Sequence, residues 1–134
     1  MAAQALQGGV SDGKGSVGFY LGSAVRGREL KGLEVFGEGL TYFDNLAKEG
    51  RVQGVRTYVA NTGDLSELAG MLIVEGELSE LQAVQLEPEY QKITAKAENI
   101  VDHLTIILMT GGSPDDIAEA LGSATETLGE LGIT

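Results

Sequence analysis

"HLTIILMT", residues 103–110, carries large apolar side chains on both of its faces: Leu104, Ile106 and Leu108 alternate with His103, Thr105, Ile107 and Met109. Such a short run, rich in β-branched and long apolar residues, reads as a strand. "LAGMLIVEG", 68–76, repeats the pattern, with Leu72 and Val74 against Met71 and Ile73. A sheet that is apolar on both sides needs cover on both sides. The sequence must therefore supply, or recruit, two covers for one sheet.

Working outward, "SVGFYLGSAVR" gives a first strand over 17–26 and "RVQGVRTYVANTGD" a second over 52–60. The turn residues Asn61, Thr62, Gly63 and Asp64 separate the second strand from the third, so an antiparallel hairpin is expected. From Arg28 the period becomes helical, with Leu30, Leu33, Phe36, Leu40, Phe43 and Ala47 on one stripe that ends at Gly50. Gly32, Gly37 and Gly39 interrupt that helix, which points either to close packing or to fraying.

Ser79 and Gln82 have capping-box spacing and start a short helix to Leu86. Pro88 then opens a second helical piece carrying Tyr90, Ile93, Ala97 and Ile100, to about Val101. After the fourth strand, Ser113 as N-cap and Pro114 at the first position open a last helix over 113–132. Its stripe is Ile117, Leu121, Ala124, Leu128 and Leu131, expected either to pack on the body or to reach a second subunit.

The order β-α-β-β-α-β is the ferredoxin-like split arrangement, an α+β fold with a four-stranded antiparallel sheet and an extra C-terminal helix. A single domain over 17–134 is expected, preceded by a flexible Gly/Ser/Gln-rich arm over 1–16. Helices cover one face of this sheet; for the other, face-to-face homodimerisation is the economical cover.

The chain has nine Lys and Arg against twenty Asp and Glu, a formal charge of −11. That surface repels phosphate, so nucleic acid and anionic membrane are poor partners. With no cysteine there are no disulfides and no thiolate chemistry. Residues 1–16 lack the basic and apolar regions of a secretory signal, and a cytoplasmic protein is the expectation.

If Val17, Phe19 and Leu21 with Val55, Thr57 and Val59 face the helices, alternation sends Tyr20, Arg56, Tyr58, Thr105 and Met109 to the other face. Two phenols, a guanidinium and a hydroxyl among apolar groups suit a small-molecule pocket, with Arg56 holding a carboxylate or enolate. The same residues suit a dimer interface, with Arg56 paired to a glutamate of the partner chain. Both readings stand on the sequence.

His103 is the single histidine and the one acid–base candidate for catalysis. Asp102 beside it points to the opposite face of an extended strand, so the two are badly placed as a dyad. No metal site is expected from one histidine without a spaced partner. Asp115 and Asp116 argue against phosphate on the Gly111–Gly112 turn. Glu34, Glu38 and Tyr42 share one side of the first helix, by default a solvated one.

Taken over 17–110, the strand order, the G-R-E of "VRGREL" at 25–30 and "EPEYQKI" at 87–93 resemble the dimeric α/β-barrel superfamily, which includes antibiotic-biosynthesis-type monooxygenases and EthD-like and YCII-like proteins. The stretch 68–107 resembles small uncharacterised bacterial proteins of that kind. The resemblance implies two sheets closed into a barrel and a small organic ligand, held in the barrel or between a sheet and its own helices. It further implies cofactor-free monooxygenase or isomerase chemistry as one option and a non-enzymatic dimerisation module as the other, with no cofactor in either.

Overall fold

The computed structural model describes residues 13–132, so most of the expected N-terminal arm lies outside the described residues. Strands β1 (Lys14–Leu21), β2 (Gly54–Val59), β3 (Gly70–Glu77) and β4 (Thr105–Thr110) alternate with helices α1 (Glu29–Lys48), α2 (Leu78–Gln85), α3 (Pro88–Glu98) and α4 (Pro114–Glu130). The strands form one antiparallel sheet in the order β2-β3-β1-β4, the ferredoxin-like arrangement. β2 and β3 are the expected hairpin, with Val55 opposite Val74 and Thr57 opposite Leu72.

One face is the core. Val17, Phe19, Leu72 and Val74 pack with Phe43 and Leu46 of α1, Leu81 and Val84 of α2, and Tyr90 of α3. Phe19, Phe43 and Tyr90 stack as tilted and edge-on rings with centroids 5.4 to 6.2 Å apart. Thr57 and Val59 belong to this face by register but are exposed, since the core covers edge strand β2 only at its start, where Val55 packs against it.

The stripe of α1 is the expected one only from Phe36 on, where Phe36 lines a cleft, Phe43 is buried and Leu40 and Ala47 pack against the core. Val35, Gly39, Phe43 and Leu46 are its buried residues, while Leu30 is 78% exposed and Leu33 70% exposed. At 3.6 residues per turn the two successive steps of three from Leu30 to Phe36 drift off one line, so Leu30 and Leu33 fall on the exposed side of the helix. Gly39 is buried against Ile93 of α3, Gly32 lies under Ala24 and Ile100, and Gly37 faces open space. Close packing therefore explains Gly32, whose Cβ would come within 3.2 Å of that of Ala24, while one at Gly39 would make only ordinary contact. The helix ends in a Schellman motif: Gly50 (φ +79°) donates to the Ala47 carbonyl and Arg51 to that of Leu46.

Several boundaries differ from the sequence reading. β1 begins at Lys14, inside the expected arm, and stops at Leu21 where Gly22 donates to the Asp102 carbonyl at 2.9 Å. A side chain at Gly22 would collide with the carbonyls of Asp102 and Ser66, which fixes the break. The Ser79–Gln82 capping box does not form, because β3 runs straight into α2 with Glu77 as N-cap and no side-chain cap. Leu78, fully buried, starts that helix early and leaves Ser79 inside its first turn. β4 begins at Thr105, leaving His103 in a turn with φ 56°.

At the last helix the expected cap is present. Ser113 Oγ accepts from the Asp116 amide at 3.1 Å and Asp116 Oδ2 accepts from the Ser113 amide at 3.2 Å, a reciprocal capping box. No residue of α4 is buried.

Candidate functional site

The face of the sheet away from α1 to α3 is set by register. Tyr58, Met71, Tyr20 and Thr105 form one row across it, Arg56, Ile73, Gly18 and Ile107 the next, and Gly54, Glu75, Ser16 and Met109 the third. All five residues expected together from alternation, Tyr20, Arg56, Tyr58, Thr105 and Met109, are thus on one surface.

Their contacts decide what that surface can do. The Tyr20 ring folds back over Gly18, and a Cβ on Gly18 would strike both that ring and the Met109 methyl. The Tyr20 hydroxyl donates to Met109 Sδ at 3.5 Å. Phenol and thioether therefore roof the middle of the face, and glycine is needed beneath them. Arg56 Nε lies 2.7 Å from Glu75 Oε1 of its own chain. The Tyr58 side chain, then the Glu75 charge, raise the guanidinium pKa further. Arg56 thus has an acid of its own chain beside it. Tyr58 and Ile107 stand exposed around this roof. The result is a face with an apolar middle and two cations, Arg56 and Lys14, paired with Glu75 and Glu77 of β3.

His103 lies away from these rows. Its Nε2 is 3.6 Å from Glu67 Oε1, and both side chains are more than half exposed. Glu34 pairs with Lys31 at 3.3 Å and Glu38 with Lys96 of α3 at 3.0 Å, so both carboxylates are engaged on the helix surface. Tyr42 differs from its neighbours. Its hydroxyl is buried without a well-formed hydrogen bond, and burial, then the Glu87 carboxylate, push the phenol up to about 12. Beside it Arg51 holds Glu80 at 2.6 Å and Glu87 at 2.8 Å, tying the end of α1 to α2 and the start of α3.

One concavity lies where the superfamily resemblance implied a ligand site, although its lining residues were not read from the sequence. Between the sheet and its own helices, Phe19, Leu21, Val35, Phe36, Ile93 and Leu104 line a half-open cleft of about 50 Å³, with Gly32 and Gly39 in its wall. Its one hydroxyl, Thr94, donates to the Gln91 carbonyl at 3.0 Å. The helix glycines were the available signal, since each removes a side chain where α1 meets α3.

Among the described residues no cluster of three or more His, Asp or Glu has metal-holding geometry, and no helix is long and apolar enough to cross a membrane.

The sequence matches no family model and no curated protein. Among solved structures, the chain is similar to an uncharacterised NIPSNAP domain protein from Burkholderia xenovorans, at 14% identity and a TM-score of 0.46, over 75% of this chain and 96% of that one. It is also similar to a protein of unknown function from Rhodopseudomonas palustris, at 13% identity and a TM-score of 0.49, over 77% of this chain and 85% of that one. The ferredoxin-like assignment itself rests on this chain's own strand order, β2-β3-β1-β4.

Proposed function

We propose that this protein is a self-associating module whose uncovered sheet face seats against the same face of a second copy. The observation that carries the reading is the roofed face itself. Tyr20 and Met109 close over Gly18, Arg56 is neutralised by Glu75, and Tyr58, Ile73 and Ile107 offer apolar surface around them. A pocket needs a concavity with polar groups aimed into it, whereas an interface needs a flat apolar centre with aromatic anchors.

Sedimentation velocity on the full chain tests this. A dimer at micromolar concentration is expected, and Ile107→Asp, at a side chain already 43% exposed, is expected to give a folded monomer. A wild-type monomer throughout the micromolar range would sink the reading.

The helix-side cleft supports a second reading, binding of a small apolar molecule. Its volume of about 50 Å³ is well under the roughly 150 Å³ of a cavity that admits a benzene ring. Such a ligand therefore requires α1 and α3 to part. Cofactor-free monooxygenase or isomerase chemistry in that cleft would also need an acid–base group at the substrate. The lining supplies only Thr94, already committed to a backbone carbonyl. These two facts favour the interface reading. Titration with small aromatic hydrocarbons, followed by thermal shift, separates the two: a saturable rise in Tm would favour the cleft.

A further inference from the structure

The apolar stripe of α4 is only partly covered by its own chain, with Ile117 over Gly111 and Ala124 and Leu128 half-buried. No residue of the helix is buried, and Leu121 is 59% exposed, Ile117 42% and Leu131 47%. Along that stripe Ile117, Leu121, Ala124, Leu128 and Leu131 are spaced 4, 3, 4 and 3 residues apart. Strict alternation of this kind is the a/d seam of a coiled coil, narrower than the stripe of a helix that packs on a globular body.

Charge placement narrows the occupant. The positions flanking the seam are Ala118, Ala120, Thr125 and Thr127, all neutral and small. The five carboxylates of α4, Asp115, Asp116, Glu119, Glu126 and Glu130, fall on the outward positions, and the helix has no Lys or Arg. A basic partner helix would find no acid beside the seam to pair with. Two copies of this same helix meet without like charges in contact.

Area points the same way. Edge strands of six residues span about 20 Å, and four strands at about 4.8 Å spacing give the sheet face a planar footprint on the order of 400 Å². Relief raises that figure, yet the face stays near the low end for a specific pair, which buries about 800 Å² per partner. A helix of 17 residues adds a strip about 25 Å long and about 10 Å wide.

We propose that α4 pairs with α4 of a second copy through the Ile117–Leu131 seam, so that the sheet face and the helix form one composite homodimer interface. The area argument rests on the reading of the sheet face as an interface; the seam spacing stands apart from it.

The chain has no cysteine, so single-cysteine variants report cleanly. Ala124 is the middle of the five seam positions and faces its own copy whether the helices run parallel or antiparallel. Ala124→Cys in the full chain, under mild oxidation at micromolar concentration, is expected to give a disulfide-linked dimer at least tenfold faster than the outward control Ser123→Cys. Equal rates would overturn the proposal. Sedimentation of Leu121→Asp and Ile107→Asp then separates the two surfaces. Weakening at least tenfold in both is expected for a composite interface. Loss in Ile107→Asp alone leaves the sheet reading intact and overturns the helix pairing; loss in Leu121→Asp alone supports the helix pairing and removes the sheet from the interface. Because each copy carries a charge of −11, added salt is expected to strengthen association. Weakening by salt would indicate a basic partner and count against self-pairing.

Discussion

Arg56 reaches diagonally across the β2–β3 pair to Glu75, Nε to Oε1 at 2.7 Å, on the sheet face that α1 to α3 leave bare. Arg56 is 65% exposed and Glu75 30%, so in a free chain solvent screening leaves the pair little net effect on stability. In a buried interface the balance changes, because a charge whose partner is removed stays desolvated and uncompensated. Glu75→Gln and Arg56→Ala are each expected to weaken the dimer by about 2 kcal/mol, roughly thirtyfold, while moving monomer stability little. The double variant Arg56→Leu/Glu75→Leu is expected to associate as well as wild type or better. Sedimentation equilibrium reads all three. Unchanged association in both single variants would place the pair outside the interface.

The glycines of α1 give a prediction with opposite signs of risk. A Cβ at Gly39 would meet Ile93 at 3.9 Å, ordinary contact, and one at Gly37 would meet nothing. Both replacements should therefore gain about 1 kcal/mol from helix propensity. At Gly32 the new Cβ would meet that of Ala24 at 3.2 Å, so Gly32→Ala is expected to gain less or to lose. Urea denaturation of the three variants checks the ranking. Destabilisation by Gly39→Ala would mean that the α1–α3 contact tolerates no added methyl.

The alternation of β1 to β4 was enough to place Tyr20, Arg56, Tyr58, Thr105 and Met109 on one face, because a period of two survives an error of a residue or more at a strand end. Partner choice within the face was not legible. Whether Arg56 meets Glu75 of its own chain or an acid elsewhere depends on the β2–β3 register, and hairpin turns of different length give different registers. The first turn of α1 was misread for a different reason: steps of three from Leu30 to Leu33 to Phe36 drift on a 3.6-residue period, and the inward positions there belong to Gly32 and Val35. A glycine on the inward side carries no hydrophobic signal for a periodicity reading to find. The Ser79–Gln82 pattern failed because Leu78, buried at 0% exposure, set the start of α2 before the serine was reached.

Leu78 itself is expected to be costly to truncate. It is fully buried and sits over Gly15 of β1, in the space that a side chain at that glycine would take. Leu78→Ala should cost about 2 to 5 kcal/mol, through lost burial and the cavity left behind. Gly15→Ala should also destabilise, since the added methyl strikes both Leu78 and the Met109 carbonyl. Thermal melts with matched denaturant curves measure both. A loss under about 1 kcal/mol in Leu78→Ala would mean that the site collapses freely and does not anchor the β3–α2 junction.

Tyr42 supplies the pH dependence. Burial first, and the Glu87 carboxylate second, push its phenol up to about 12 in the folded chain, against about 10 for an ordinary tyrosine. The proton is thus held more tightly by the folded state. Below about pH 10 both states keep it and Tyr42 adds no pH dependence. Between about pH 10 and 12 the unfolded chain ionises first, so stability falls as pH rises, by at most about 3 kcal/mol and by less with solvent screening at this half-buried site. Tyr90, also raised by burial, erodes stability in the same direction, so Tyr42→Phe should flatten the alkaline decline without abolishing it. At neutral pH the same variant removes a buried hydroxyl that has no well-formed partner, and is expected to be neutral or stabilising by about 1 kcal/mol. Urea midpoints for wild type and Tyr42→Phe from neutral to alkaline pH test both halves. A Tyr42→Phe chain that is destabilised at neutral pH, or that declines as steeply as wild type above pH 10, would show that the hydroxyl has a partner in solution.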